Sequence, residues 1–157
     1  MPKPPEPVEP SLSFLCHVEV GLGDPIEVGH GPLGRRRIIP ITGGAVTGRL
    51  SGELVSLGAD WQLVWDDGTA VIDTRYLLRT PEQTFLPLAT RGYRTGPPEV
   101  LARLAAGRDV DPADYYFRFT LDIDAPEGPY GWLRSRIIVG SAVRLASIVR
   151  YDAYEVT

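Results

Sequence analysis

Cysteine, methionine and histidine are nearly absent from this 157-residue chain, which holds one, one and two of them. A lone cysteine, Cys16, excludes an intrachain disulfide and fits a reducing cytoplasm, where the protein is expected. Cys16, His17 and His30 are too few to build a Cys/His zinc site, so no metal is expected. Adjacent Cys16 and His17 point to opposite faces of a strand, which predicts a buried thiol beside an exposed imidazole. With two histidines there is little room for a histidine base. No Ser-His-Asp order stands out, and neither HExxH nor a Walker A lysine motif occurs. Basic charge is in deficit: 16 Lys and Arg stand against 20 Asp and Glu, for a formal charge of −4 and a pI of about 5.2. That balance argues against nucleic acid or an anionic membrane surface as a partner. No apolar run approaches the ~20 residues of a membrane span. The opening "MPKPPEPVEP" has no apolar region of the kind a signal peptide needs.

Glycine and proline, by contrast, are abundant: 17 and 15 residues. They favour many short elements joined by turns. Residues 1–11 read as an extended, proline-rich tail and 12–157 as a single domain. Alternating or β-branched runs predict strands near 12–20, 35–42, 45–56, 61–66, 69–79, 84–91, 115–123, 132–140 and 146–156. This spacing indicates an all-β sandwich or barrel. One helix is expected near 97–106, from "PPEVLARLAAG", with prolines at its start and Gly107 at its end. Its apolar stripe of Val100, Leu101, Leu104 and Ala105 should lie against the sheet or cap a barrel end.

The run "DWQLVWDDGTAVIDTRY" reads as a hairpin around Asp67-Gly68, a strong signal for a two-residue type I′ turn. That turn pairs Val64 with Val71, Gln62 with Asp73 and Asp60 with Arg75. Trp61, Leu63, Trp65, Ala70, Ile72 and Tyr76 then form the apolar face, and Asp60, Gln62, Asp73 and Arg75 a polar patch opposite. In "YYFRFT" the same one-sidedness sets Tyr116 and Arg118 against Phe117 and Phe119. "YGWLRSRIIVG" repeats it with Trp132, Arg134 and Arg136. If these polar faces converge on a cavity, they can bind an oxyanion or polarise a carbonyl. "GRRRIIPITGG" adds an arginine triplet, with Arg37 a candidate anion ligand, and Gly43-Gly44 marks a turn or bulge. "GHGPLG" at 29–34 matches GxGxxG in form only. Pro32 stands where a helix should begin and a strand follows, so a loop between strands is expected.

At "GRRRIIPITGG", "GADWQLV", "RGYRTGPPEVLARLAAG", "DYYFRFT" and "YGWLRSRIIVG" the chain resembles domain of unknown function 3237, also called uncharacterised protein family 0311. The likeness runs from about Phe14 to Val156. It implies a closed or nearly closed antiparallel β-barrel of lipocalin-like shape, of about 8–10 strands, and carries no established reaction. A barrel of this kind often encloses a small ligand. The combined expectation is a cytoplasmic barrel that binds a partly apolar molecule bearing a carbonyl or carboxylate, without a cofactor. Catalysis there (isomerisation, cyclisation or hydrolysis) would use Asp73 or Asp60 as acid/base, with Arg75 and Arg118 stabilising an oxyanion. Trp61, Trp132 and Tyr116 would form the walls and Arg37 a further ligand contact. A non-catalytic carrier or interaction barrel is the alternative, and a homo-oligomer stays open.

Overall fold

The structure is a computed structural model that describes residues 1–157. Nine strands follow in order: β1 (Leu12–Leu22), β2 (Ile26–Gly31), β3 (Gly34–Gly48), β4 (Gly52–Val64), β5 (Ala70–Arg79), β6 (Phe85–Thr95), β7 (Tyr116–Ile123), β8 (Ile138–Arg144) and β9 (Ile148–Val156). The single helix, α1 (Pro98–Ala105), joins β6 to β7. All pairings are antiparallel, and the order β1-β9-β8-β7-β6-β5-β4-β3 closes on itself through β1–β3. The result is a closed eight-stranded barrel, with β2 lying outside the ring against β3. Residues 1–10 are exposed and carry no strand or helix, while Ser11 exchanges backbone hydrogen bonds with Thr157. No helix is long and apolar enough to cross a membrane.

Strict alternation fills the barrel. Val18 and Val20 of β1, Ile39 and Ile41 of β3, Ile72, Tyr76 and Leu78 of β5, and Leu86 and Leu88 of β6 point inward. Phe117, Phe119 and Leu121 of β7 and Tyr151 of β9 join them. The two ends differ. One is plugged by Leu50, Leu54, Leu78, Leu86, Ile123, Leu133 and Ile138, all of them buried. Around the other stand the ends of β4, β6 and β8 and the start of β3. Beside it α1 turns Val100 and Leu104 onto the core; Leu101 packs there in part, and Ala105 is exposed.

Several local expectations are corrected. Predicted strands 35–42 and 45–56 are not separated at Gly43-Gly44, because β3 runs through that pair with a bulge and turns only after Gly48. At Gly44, φ is +149° and a Cβ would sit 1.9 Å from the Glu19 carbonyl oxygen, so glycine lets β3 cross close over β1. The "GHGPLG" stretch is not simply a loop, since it supplies the second half of β2 and the turn into β3. Residues 132–135, expected at the start of a strand, lie instead in a 3-10 turn over Gly131–Ser135, with Leu133 N–H donating to Tyr130 C=O and Arg136 N–H to Leu133 C=O. β8 begins only at Ile138.

The register of the β4–β5 hairpin differs by one residue from the expectation. Asp60 pairs with Thr74, Ala59 with Arg75, and Val64 with Ala70. Trp65 N–H donates to Thr69 C=O and Gly68 N–H to Trp65 C=O, which makes Asp66-Asp67-Gly68 a three-residue loop. Gly68 takes φ +89°, and the Asp67 carboxylate accepts from Thr69 N–H. This is the turn-plus-left-handed-glycine hairpin, for which "DDG" is as good a sequence as "DG" is for a two-residue turn. The slip joins the polar face of β4 to the apolar face of β5. Asp60 and Gln62 go inward, while Trp61 and Trp65 stay on the outer surface, 54% and 42% exposed.

Candidate functional site

Between the apolar plug and the open end lies a cavity of about 50 Å3. It is walled by Val20, Ile39, Ile41, Ile72, Phe117 and Phe119, with Asp60, Gln62, Thr74, Thr90, Arg94 and Arg144 toward its rim. Above it a wider vestibule of about 520 Å3 is bounded by α1, the 66–68 turn and Arg35, Arg37, Arg94 and Arg144. The inner space admits only about three or four waters' worth of ligand. The vestibule is of the size that small organic ligands occupy.

Asp60 is the buried carboxylate of this cavity, 6% exposed. Its Oδ1 accepts from Asp73 N–H at 3.0 Å and its Oδ2 from Gln62 Nε2 at 2.9 Å. Burial raises its pKa, against the lowering effect of these bonds and of Thr74. Gln62 in turn accepts from Arg37 Nε at 2.7 Å, so Arg37, Gln62 and Asp60 form one relay of hydrogen bonds across β3 and β4.

Three guanidiniums meet at the rim. Arg37 enters from the start of β3, Arg94 from the end of β6 and Arg144 from the end of β8. Burial holds each below its usual pKa, and Arg94, further depressed by Arg144 and Arg37, falls to about 10. None of the three is in an ion pair, whereas Arg35, Arg49, Arg79, Arg91, Arg134, Arg136 and Arg150 all are. Arg144 spends its Nη1 on the Leu145 and Ala146 carbonyls. Arg94 lies over the Phe117 ring, 5.6 Å from its centre. The rim thus carries three guanidiniums outside any ion pair, with Asp60 on the inner cavity wall and Asp66 and Asp67 on the wall of the vestibule.

Of the residues expected from sequence, Asp60 and Arg37 point into this site and the others do not. Asp73 lies on the outer surface 3.7 Å from Arg91, not against Arg75. Arg75 is exposed opposite Ala59. Tyr116, 53% exposed, and Arg118 sit together outside, the guanidinium 5.7 Å from the ring centre. Trp132 stands at the plugged end under Arg49. The polar faces of β5 and β7 therefore do not converge, because the apolar faces of the same strands claim the interior. Arg94 and Arg144 went unnoticed. Their signal was phase: each is the last inward position of its strand, after Leu86, Leu88 and Thr90 in β6 and after Ile138 and Ala142 in β8. Cys16 is buried, and its thiol is pushed up to about 12 by that burial. His17, half-buried beside it, meets Asp152 at 2.7 Å. No group of three or more His, Cys, Asp or Glu side chains is placed to hold a metal ion.

Fold and site together define a small all-β barrel with an apolar interior and a cationic mouth. The chain belongs to the family described as "Protein of unknown function (DUF3237)", whose model matches residues 10–156. A UPF0311 protein from Bradyrhizobium diazoefficiens is 36% identical over 91% of this chain and 94% of its own. The crystal structure of a beta-barrel like protein from Acinetobacter baumannii AYE is 44% identical, with a TM-score of 0.86 over 97% of this chain and 99% of that one. A more distant structure, an enzyme from Penicillium herquei, is 16% identical with a TM-score of 0.73 over 99% and 100% of the two chains. That last likeness speaks for the fold alone.

Proposed function

We propose that the barrel binds a small, partly apolar organic anion, with its carboxylate among Arg94, Arg144 and Arg37 and its apolar part against Ile39, Ile72 and Phe117. Asp60 then acts on it as an acid/base, in chemistry that needs no cofactor. The observation that carries this reading is the rim itself: three part-buried guanidiniums with no carboxylate partner, in a chain where seven other arginines have one. Cations desolvated and unpaired at a cavity mouth are unfavourable unless an anion joins them. Asp60 separates an enzyme from a carrier, since a carrier needs only the apolar wall. A buried carboxyl at a cavity wall, its proton affinity raised by that burial, is instead suited to exchanging a proton with a bound molecule. A cytoplasmic location belongs to the same reading and rests on the single, buried Cys16.

The test is a pair of matched probes, pentanoate and pentanamide, in thermal melts. At ten times its dissociation constant a ligand stabilises by about 1.4 kcal/mol. In a chain of this size that raises Tm by about 3–6 °C. Pentanoate should do so, pentanamide should not, and Arg94→Met should abolish the response. Equal responses to acid and amide, or an unaltered Arg94→Met, would overturn the reading.

A further inference from the structure

Beneath the anion site lie two phenols that it does not use. Tyr76 comes from β5 and Tyr151 from β9, strands diametrically opposed in the ring of eight. Their hydroxyls hydrogen-bond to one another across the barrel axis and so form the cavity floor. Both side chains are buried, at 5% and 3% exposure. The Tyr151 ring is steadied edge-on by Phe119, 4.8 Å away.

Proton counting makes this floor chemically incomplete. Two hydroxyls joined by one hydrogen bond use one of their two protons, whichever way it runs. The second O–H makes no further hydrogen bond within the protein. Asp60, the nearest carboxylate on the cavity wall, already has its oxygens engaged by Gln62 and by the Asp73 N–H. Burial raises both phenol pKa values above their ordinary range, so the pair stays protonated and acts as a donor. A buried donor without an acceptor is unfavourable, and the cavity beside it is large enough for a carbonyl group and the carbon next to it.

We infer that the Tyr76–Tyr151 pair is a receptor for a carbonyl oxygen, and that the ligand is an oxo acid. Its carboxylate sits at Arg94, its ketone oxygen on the free phenol proton, and the intervening carbon beside Asp60. This inference rests on the anion-binding reading and adds the second functional group. The chemistry it permits is enolisation. The Asp60 carboxylate takes a proton from the carbon next to the carbonyl, and that C–H electron pair moves into a C=C bond. The C=O pair moves onto oxygen, where the phenol stabilises it. Where the oxo acid also carries a C=C bond one carbon further on, the enolate is conjugated with it; returning the same proton to the far end of that system shifts the double bond, an isomerisation with no further reactant.

The experiment is calorimetric titration of two matched pairs: 4-oxopentanoate against pentanoate, and 6-oxoheptanoate against heptanoate. Two spacings are used because the ligand's own chain length is open. Wild type should bind at least one oxo acid about tenfold more tightly than its parent, the value of one good hydrogen bond. In the double variant Tyr76→Phe/Tyr151→Phe that ratio should fall to near one, since either phenol left alone keeps a free O–H. Arg94→Met should weaken all four. A ratio of one in wild type for both pairs, or a preference that survives the double variant, overturns the carbonyl receptor while leaving the anion site standing. Acids that bind Arg94→Met as tightly as wild type overturn both. A second readout needs no variant. The C=O stretch of the bound, 13C-labelled oxo acid should lie below its frequency in water. A stretch at the frequency seen in an apolar solvent also overturns the receptor.

Discussion

Replacing Arg94 by methionine should make the protein more stable while removing its affinity for anions. In the fold its pKa drops from 12.5 to about 10, chiefly through burial and then through Arg144 and Arg37. At about 1.4 kcal/mol for each factor of ten in proton affinity, holding this side chain charged costs about 3 kcal/mol. Part of that is recovered by the stacking on Phe117, worth about 0.5–1 kcal/mol. Solvent at the rim screens some of the remainder. Methionine keeps the stem's packing and sheds the charge, for a net gain of about 2 kcal/mol, which corresponds to a Tm rise of about 4–8 °C for a chain of this length. The sign follows from the direction of the shift. A base whose folded pKa is depressed carries its full penalty below that pKa, here about 10, and is relieved as pH rises through it. A thermal melt at pH 7.5 therefore reads the whole effect. Saturating pentanoate should bring wild type toward the Tm that Arg94→Met has without ligand, as expected where stability is exchanged for function. An Arg94→Met protein no more stable than wild type, or less so, would refute the reasoning, since Arg94 would then be satisfied by the fold itself.

Three further outcomes are expected. Asp60→Asn should stabilise the protein at neutral pH, because burial raises the Asp60 pKa. A raised acid is favourable only while protonated, so the gap to wild type should close as pH falls toward about 4, the unfolded value, in denaturant melts at stepped pH; a gap that widens contradicts the burial argument. Gly140→Ala should cost about 1–3 kcal/mol, because the new Cβ falls 2.1 Å from Phe119 Cε2 and displaces the ring that steadies Tyr151. A urea titration that finds it neutral would show Phe119 free to move. Deleting residues 1–10, which are exposed and form no strand or helix, should leave Tm within about 1 °C by calorimetry; a loss of several degrees would make the tail part of the fold.

Much of the architecture was legible because strands write themselves in a local code. Side chains alternate with period two, so "YYFRFT" shows Phe117 and Phe119 in one phase with no knowledge of what surrounds them. The helix was equally local, bracketed by Pro97-Pro98 and by Gly107 at φ +76°. Residues 132–136 misled for a related reason. A run as short as Trp-Leu-Arg-Ser-Arg suits a single 3-10 turn as well as a strand, and only Leu133 needed to be buried. The candidate site was half visible, with Asp60 and Arg37 named for their chemistry and Arg94, Arg144, Tyr76 and Tyr151 passed over. An arginine in phase with an apolar face looks like an ordinary strand end until the barrel closes.

By itself, the sequence determined that this chain makes many short strands, one brief helix and a body without disulfides. Those properties depend on contacts between near neighbours in the chain and on what each residue type can do. Only the tertiary structure decided which face of each strand looks inward. A period-two pattern is symmetric between its two faces, and one residue of turn length, Asp66 through Gly68, exchanges them. That exchange sent Asp60 and Gln62 into the cavity and kept Asp73, Arg75 and Trp61 outside. It was closure of β1 on β3 that gathered Arg37, Arg94 and Arg144 at one rim, and Tyr76 and Tyr151 across one axis. No local preference brings together groups so far apart in sequence, because their meeting is a property of the closed ring.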